Sequence, residues 1–454
     1  MAPVTKFFIE DPYNYTYGFN CYHQSEAVPG ANPVAINSPQ KPPFGLRTER
    51  ISNSSFVTPD REKSIHTWLY RITPSLQRSE FTALDETSET VDPPAPIYLT
   101  PNSFMWPKIP MESEASWIQQ KLLGRNGDPQ QKLGIAIWVF CVTKDMPAQT
   151  AFSSLDGEAL IVPQSGALDI QTELGKLLVR QNEIAVIPRG VRYRVTLGGA
   201  QPARGYVFEL FEGHFQLPAL GAIGSTGLAN VRDFQVPVAH FDGGVIEGDR
   251  IVKSTGEQDW KIISRLNGKL WECTQDHTPF DVVAWHGTCY PYKYDLGRFC
   301  VLGNALFDEH DPSLYTVLTA PSYGKVPGTA VLDFAIVPPR WQVSKDTLWI
   351  PYYHRNIMQE FFFPIIYEQS PDFPFNGGHE FRPWGCGLNG SLAAHGPPDN
   401  QYLQATNTDT TKPTKVDTDG VLMALVETEQ PLYLSEWAFQ SAVKNFNGKE
   451  SSKL

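Results

Sequence analysis

Between Ile135 and Phe215 the chain breaks into short apolar or alternating runs separated by single turn residues, and this texture constrains the fold more than any other feature. IAIWVFCV is followed by EALIVPQSGALDIQTELGKLLVRQNEIAVIPRGVRYRVTL and then by RGYVFELFEGHF, with Gly166, Gly175, Asn182 and Gly190 at the breaks. Runs this short suit strands rather than packed helices, with turns at regular short intervals between them. The pattern predicts a mainly β protein with a jelly-roll or small-barrel block. No histidine falls in this block before His214, so it reads as a scaffold without a metal.

A second β-rich block starts near Trp260 and contains DVVAWHGTCYPYKYDL, YTVLTA, VLDFAIVPPRW, LWIPYYHRNIMQEFFF and GLNGSLAAHGPP. A chain of 454 residues is too long for one hydrophobic core, so two domains are expected. The first, residues 1–259, joins a loop-rich N-terminal segment to the metal-free barrel. The second, residues 260–454, carries most of the histidines and ends in a polar, flexible tail before a last pair of strands. Chemistry is expected in the second.

A net charge of −12, with no clustered Lys/Arg face, argues against binding nucleic acid, whose phosphates need one. Six cysteines are scattered without a CxxC pair, which fits reduced thiols better than a disulfide framework. The longest apolar run, Ile135 to Val142, is too short to span a bilayer, so no membrane partner is expected. The last residues, Ser452-Lys453-Leu454, form the tripeptide read by the peroxisomal import receptor, which predicts a peroxisomal location, with the cytoplasm as the alternative.

The segment PYYHRNIMQE places His354 and Glu360 six residues apart. In an extended chain residues i and i+6 point the same way, whereas in a helix they fall on different faces. His395, before a Gly-Pro turn, is a third candidate. Two imidazoles and a carboxylate hold Fe(II) with positions left open for substrate and O2, and zinc accepts the same set. The spacing alone leaves a metal site and an ordinary strand both open.

Longer motifs add to this reading. DVVAWHG (Asp281 to Gly287), PYKY (Pro291 to Tyr294), DPSLYTVLTA, PPRW (Pro338 to Trp341), PYYHRNxMxE and HGP (His395 to Pro397) resemble the homogentisate 1,2-dioxygenase family. The likeness extends upstream through YTYGF, WLYRITPS, DGEALIVPQSG, TELGKLLV and GLANVRDF, in order along nearly the whole chain. It implies a double β-barrel of the cupin type with Fe(II) held in the C-terminal half by His354, Glu360 and His395. It also implies a small aromatic substrate cleaved with O2, and a homo-oligomer, a trimer or a hexamer built from trimers. His286 matches a histidine beside the iron that binds or deprotonates a substrate hydroxyl. Tyr292 and Tyr353 are further candidates for lining the pocket.

Departures from the family cluster near the pocket. Where the family has a glycine-containing stretch leading to a tyrosine and a lysine, this chain reads FFFPIIYEQSPDFPF, with Tyr367 two places early and no lysine before Lys412. Asn389 stands where the family has a histidine that supports the ligands, and Thr288-Cys289 follows WHG in place of Asn-Tyr. Tyr367 and Asn389 are therefore candidate substrate contacts in an altered pocket. The leading expectation is Fe(II)-dependent ring cleavage of a hydroquinone-type phenol, homogentisate or a more hydrophobic analogue. The alternatives are an Fe(II) oxygenase with a different reaction on an aromatic secondary metabolite, and a non-catalytic cupin-type binding paralogue.

Overall fold

The computed structural model of the chain describes residues 10–33, 41–57, 60, 63–84, 98–106, 109, 114–219, 229–299, 301, 315–342, 345–346, 352–367, 385–397, 399–416 and 421–444. The terminal Ser452-Lys453-Leu454 lies outside them. Among the described residues no helix is long and apolar enough to cross a membrane. The architecture is mainly β, as the turn spacing predicts.

Each of the four expected breaks is a turn residue with positive φ: Gly166 at 68°, Gly175 at 135°, Asn182 at 72° and Gly190 at 82°. A Cβ at Gly175 would stand 2.1 Å from the Val238 carbonyl, so this turn needs glycine for space as well as for φ. Between these turns lie the strands of two large sheets. The first has nine strands; its middle runs Glu183–Ile187, Glu158–Ser165, Ala203–Leu210, Ile135–Val142 and Lys121–Arg125. Ile135–Val142 and Ala203–Leu210 are buried along their whole length, which is why IAIWVFCV carries no polar alternation. The second sheet, of seven strands, runs from Gly175–Arg180 through Ala167–Thr172, Tyr193–Leu197 and Thr150–Ser154 to Trp260–Leu266, Lys269–Gln275 and Thr82–Ala83.

Trp260–Leu266 pairs in parallel with Thr150–Ser154, and Tyr292–Asp295 pairs with Glu183–Ile187. Strands just beyond residue 259 therefore join sheets begun in the central block. The N-terminal segment wraps the molecule and contributes short strands that pair far along the chain: Tyr15–Tyr17 with Gln235–Pro237, and Phe104–Trp106 with Cys386–Asn389. His66–Arg71 and His23–Glu26 flank Val282–Gly287 in a four-stranded sheet. Strands of three to six residues whose partners are this distant leave little periodicity to read.

That four-stranded sheet is braced by a buried ion cluster. The fully buried Arg71 donates to Asp281 (2.7 and 2.9 Å), Glu49 (3.0 Å), Glu173 (3.1 Å) and the Pro279 carbonyl (3.0 Å). Burial opposes a charge on Arg71, but Asp281, Glu173 and Glu49 outweigh it and keep the guanidinium ionised. Glu173, enclosed on all sides, is the member whose pKa burial pushes upward despite Arg71.

The seven strands of the C-terminal sheet run Tyr315–Pro321, Ala330–Val337, Val421–Thr428, Gln359–Tyr367, Cys386–Asn389, Phe104–Trp106 and Val443–Lys444. One face packs on the nine-stranded sheet. Phe361 lies 5.3 Å from Tyr206 and 6.0 Å from Phe208 between ring centroids, and Phe363 lies 4.7 and 5.7 Å from the same two rings. Gln164 Nε2 donates to the Pro364 carbonyl (2.6 Å) and Gln181 Nε2 to the Ile365 carbonyl (2.9 Å), so side chains from the scaffold satisfy backbone acceptors on this strand.

Candidate metal centre

The opposite face of the C-terminal sheet carries the centre. Strand register places Thr319, Asp333, Glu427, Glu360 and Asn389 in one row across five strands. The next row on that face is Thr316, Ala335, Leu425, Phe362, Gly387 and Met105. The polar row is half-buried except at Glu360, which is buried. FFFPII is thus divided by strand alternation: Phe361, Phe363 and Ile365 face the scaffold, while Phe362 shares the face of Glu360. Only part of that stretch lies on the face of the candidate centre.

His354 and His395 are brought together by an isolated antiparallel bridge, with His354 N donating to the His395 carbonyl (2.9 Å) and His395 N to the His354 carbonyl (3.1 Å). Between His354 and the strand starting at Gln359 the chain bends, so His354 and Glu360 do not belong to one continuous strand. They converge all the same. His354 Nε2 lies 3.3 Å from Glu360 Oε1 and His395 Nε2 lies 2.8 Å from Glu360 Oε2. One ligand atom from each residue falls within 4.8 Å of the others.

The second nitrogen of each ring is also engaged. His354 Nδ1 lies 3.2 Å from the Tyr352 carbonyl and His395 Nδ1 lies 2.8 Å from the Ala393 carbonyl. A carbonyl only accepts, so both Nδ1 atoms carry hydrogen and both Nε2 atoms face the carboxylate. This is the usual orientation of metal-binding histidines, with one nitrogen anchored and the other presented. Neutral imidazole, with Nδ1 carrying the hydrogen, and ionised carboxylate are the forms that bind a metal ion. The donor set fits a divalent ion.

Burial pushes the Glu360 carboxyl up, but hydrogen bonds from His354 and His395 and their charge pull harder, and its pKa falls to about 2. A carboxylate with a lower pKa in the folded state adds stability above its ordinary value of 4.5, and that stability is lost as pH falls toward about 2. The metal-free protein is expected to lose stability across this window. In urea titrations repeated at successive pH values, Glu360→Gln should flatten that part of the curve; a variant curve parallel to the parent would contradict the assignment.

The other expected residues are distributed as follows. Asn389 stands directly opposite Glu360, and its Nδ2 donates to Oε2 at 3.4 Å, so its recorded contact is with the carboxylate. Tyr353 is half exposed and its ring lies 5.5 Å from that of Tyr402. Tyr292 is buried in the scaffold against Phe19 and Phe234. The backbone of Tyr367 pairs with Val421; its side chain lies outside the described residues.

His286 lies on the four-stranded sheet, between Gln24 and Trp68 on its neighbours. Its Nε2 is 3.0 Å from the Tyr70 hydroxyl, and its ring contacts are with Tyr70 and Tyr22. Among the described residues none of its contacts is with His354, Glu360 or His395. Burial, aided by the nearby His66, lowers its pKa and leaves it neutral near pH 7. Its Nδ1 is buried with no hydrogen-bond partner among the described residues.

Sequence reasoning passed over Asn356, which donates to Glu360 Oε1, and Asp333 and Glu427 of the acidic row. Asn356 lay inside a quoted motif, four residues before the glutamate, and that proximity was the available signal. The acidic row had none, because it exists only through register.

Comparison with known proteins gives the family. The model of the homogentisate 1,2-dioxygenase N-terminal region matches residues 14–296, and that of the C-terminal region matches residues 297–451. The chain belongs to the homogentisate 1,2-dioxygenase family. It is 46% identical over 444 residues to the homogentisate 1,2-dioxygenase of Emericella nidulans, covering 97% of this chain and 94% of that one. To that of Caenorhabditis elegans it is 40% identical over 445 residues, covering 96% of each. Membership makes the chain an oxidoreductase that acts on a single donor with incorporation of O2. Among solved structures, a cupin 2 conserved barrel domain protein from Leptotrichia buccalis matches with a TM-score of 0.28 at 9% identity, covering 70% of this chain and 92% of that one.

Proposed function

We propose that this family member is an Fe(II)-dependent ring-cleaving dioxygenase that inserts both atoms of O2 into a hydroquinone-type phenol, homogentisate or a more hydrophobic analogue. The observation that carries the reading is the convergence of two anchored imidazoles on one ionised carboxylate, on the half-buried face of the sheet. Iron, when bound, supplies the electron density that O2 needs and that zinc does not provide. Both oxygen atoms end in the product as the bond beside the hydroxylated carbon breaks, so no further reductant is consumed.

The chain's own residues do the rest. His354, Glu360 and His395 hold the ion, and the apolar row of Ala335, Leu425, Phe362 and Met105 keeps water from the adjoining face. His286 is the residue assigned to accept a phenolic proton, a role that suits its lowered pKa. A homo-oligomer, trimeric or hexameric, forms part of the same reading.

Two features favour the more hydrophobic analogue. The two rows through Glu360 and Phe362 contain no lysine or arginine, and they do contain Asp333 and Glu427. A substrate carboxylate lying there unpaired costs several kcal/mol, about 2 to 7 on transfer scales for polar groups and more for ions. Anaerobic loading with Fe(II), followed by O2 uptake with homogentisate and with an alkyl hydroquinone, tests both levels. Faster uptake with the alkyl compound is expected; uptake with homogentisate alone would return the substrate to the family's own, and uptake with neither would overturn the activity.

A further inference from the structure

Each oxygen of Glu360 is held by an amide as well as by an imidazole. Oε1 faces His354 Nε2 and accepts from Asn356 Nδ2; Oε2 faces His395 Nε2 and accepts from Asn389 Nδ2. The two amides come from different places. Asn389 sits directly across from Glu360 on the neighbouring strand, whereas Asn356 reaches in from the bend between the two ligands His354 and Glu360.

Asn356 has a second attachment. Its carbonyl accepts from Leu392 N at 2.6 Å, and next to it Ser391 Oγ donates to the Ile357 carbonyl at 2.7 Å. These bonds tie the bend to the segment carrying His395, where Leu392 is held at a φ of 55° that a branched side chain adopts only under constraint. One residue thus contacts the carboxylate ligand through its side chain and the segment of the second imidazole through its backbone.

An amide is suited to this place. It donates at every pH, carries no charge that would compete with Glu360 for the ion, and binds a first-row metal far less well than imidazole or carboxylate does. We propose that Asn356 and Asn389 are positioning residues that hold the Glu360 carboxylate in one orientation before the metal arrives, so that metal affinity depends on both. This rests on the metal reading above.

The test is metal binding rather than turnover. Fe(II) is titrated anaerobically into the full-length protein against a chromophoric chelator, and Co(II) is loaded separately so that its visible ligand-field spectrum reports coordination. Asn356→Ala and Asn389→Ala are each expected to weaken binding by about 10- to 100-fold, and to change the Co(II) spectrum, while the metal-free melting curve stays close to the parent. Asn389→His, which restores a ring N–H donor at that position, is expected to keep affinity within about threefold of the parent, well inside the range for removing such a group.

Parent protein that binds Fe(II) alongside alanine variants with unchanged affinity and spectrum would overturn the positioning role and leave the metal site standing. Failure of the parent itself to bind Fe(II) would overturn the site, and the positioning role with it. If an alanine variant fails to fold, Asn356→Ser and Asn389→Ser, each too short to hold the Glu360 carboxylate, give the same discrimination through the Co(II) spectrum.

Discussion

Glu360→Ala is expected to abolish Fe(II) binding and O2 uptake together, with metal affinity falling more than about 100-fold, beyond the range seen when only a supporting group is removed. Glu360 is the one anionic ligand of the three, and its two oxygens are the meeting point of both imidazole Nε2 atoms. Without it, two rings 4.2 Å apart between centroids face each other with no countercharge between them. A divalent ion then lacks both neutralisation and its central ligand. Metal analysis of the purified variant after anaerobic loading, read beside O2 uptake, decides the matter. An alanine variant with parental iron content would show that the ion sits elsewhere.

Arg71→Met is expected to have the largest effect on stability, about 3 to 5 kcal/mol, the cost of removing one partner from a buried ionic group. The substitution nearly preserves volume but leaves Asp281 and Glu173, both almost fully buried, without their shared cation. Asp281 directly precedes the strand that carries His286, and its other oxygen accepts from Thr73 N at 2.6 Å, so the loss spreads along two strands. Urea unfolding of the metal-free protein measures it. A loss below about 1 kcal/mol, the size of an exposed pair, would mean that the cluster tolerates the missing charge by taking up protons, and the same titration at lower pH would then show the difference vanishing.

Much of the architecture was legible because its signals are local. Turn residues at Gly166, Gly175, Asn182 and Gly190 report their own backbone conformation, and an eight-residue apolar run such as Ile135–Val142 reports its own burial. The short N-terminal strands were harder to read, because Phe104–Trp106 is a strand only by virtue of Cys386–Asn389 beside it. The candidate centre shows the same division. His354 and Glu360 were visible as a spaced pair, yet they converge through a bend and a two-residue bridge rather than through one extended strand. Asn389 was visible as a departure from the family, but its contact with Glu360 depends on a register between strands 29 residues apart, and no local pattern encodes register.

The two-faced strand from Gln359 to Tyr367 limits how this enzyme can be remodelled. Positions 361, 363 and 365 serve as foundation, wedged against Tyr206 and Phe208 or buried beside them, and substitutions there disturb the seat of Glu360 before they alter any substrate. Room for redesign lies in the alternate register, at 362 and at the residues across from it, Leu425 and Gly387. Gly387 is the tightest of these, since a methyl group there would meet the Phe362 ring at 2.3 Å. Phe362 and Gly387 therefore behave as one unit, and a library that varies them jointly will recover folded variants that single substitutions miss.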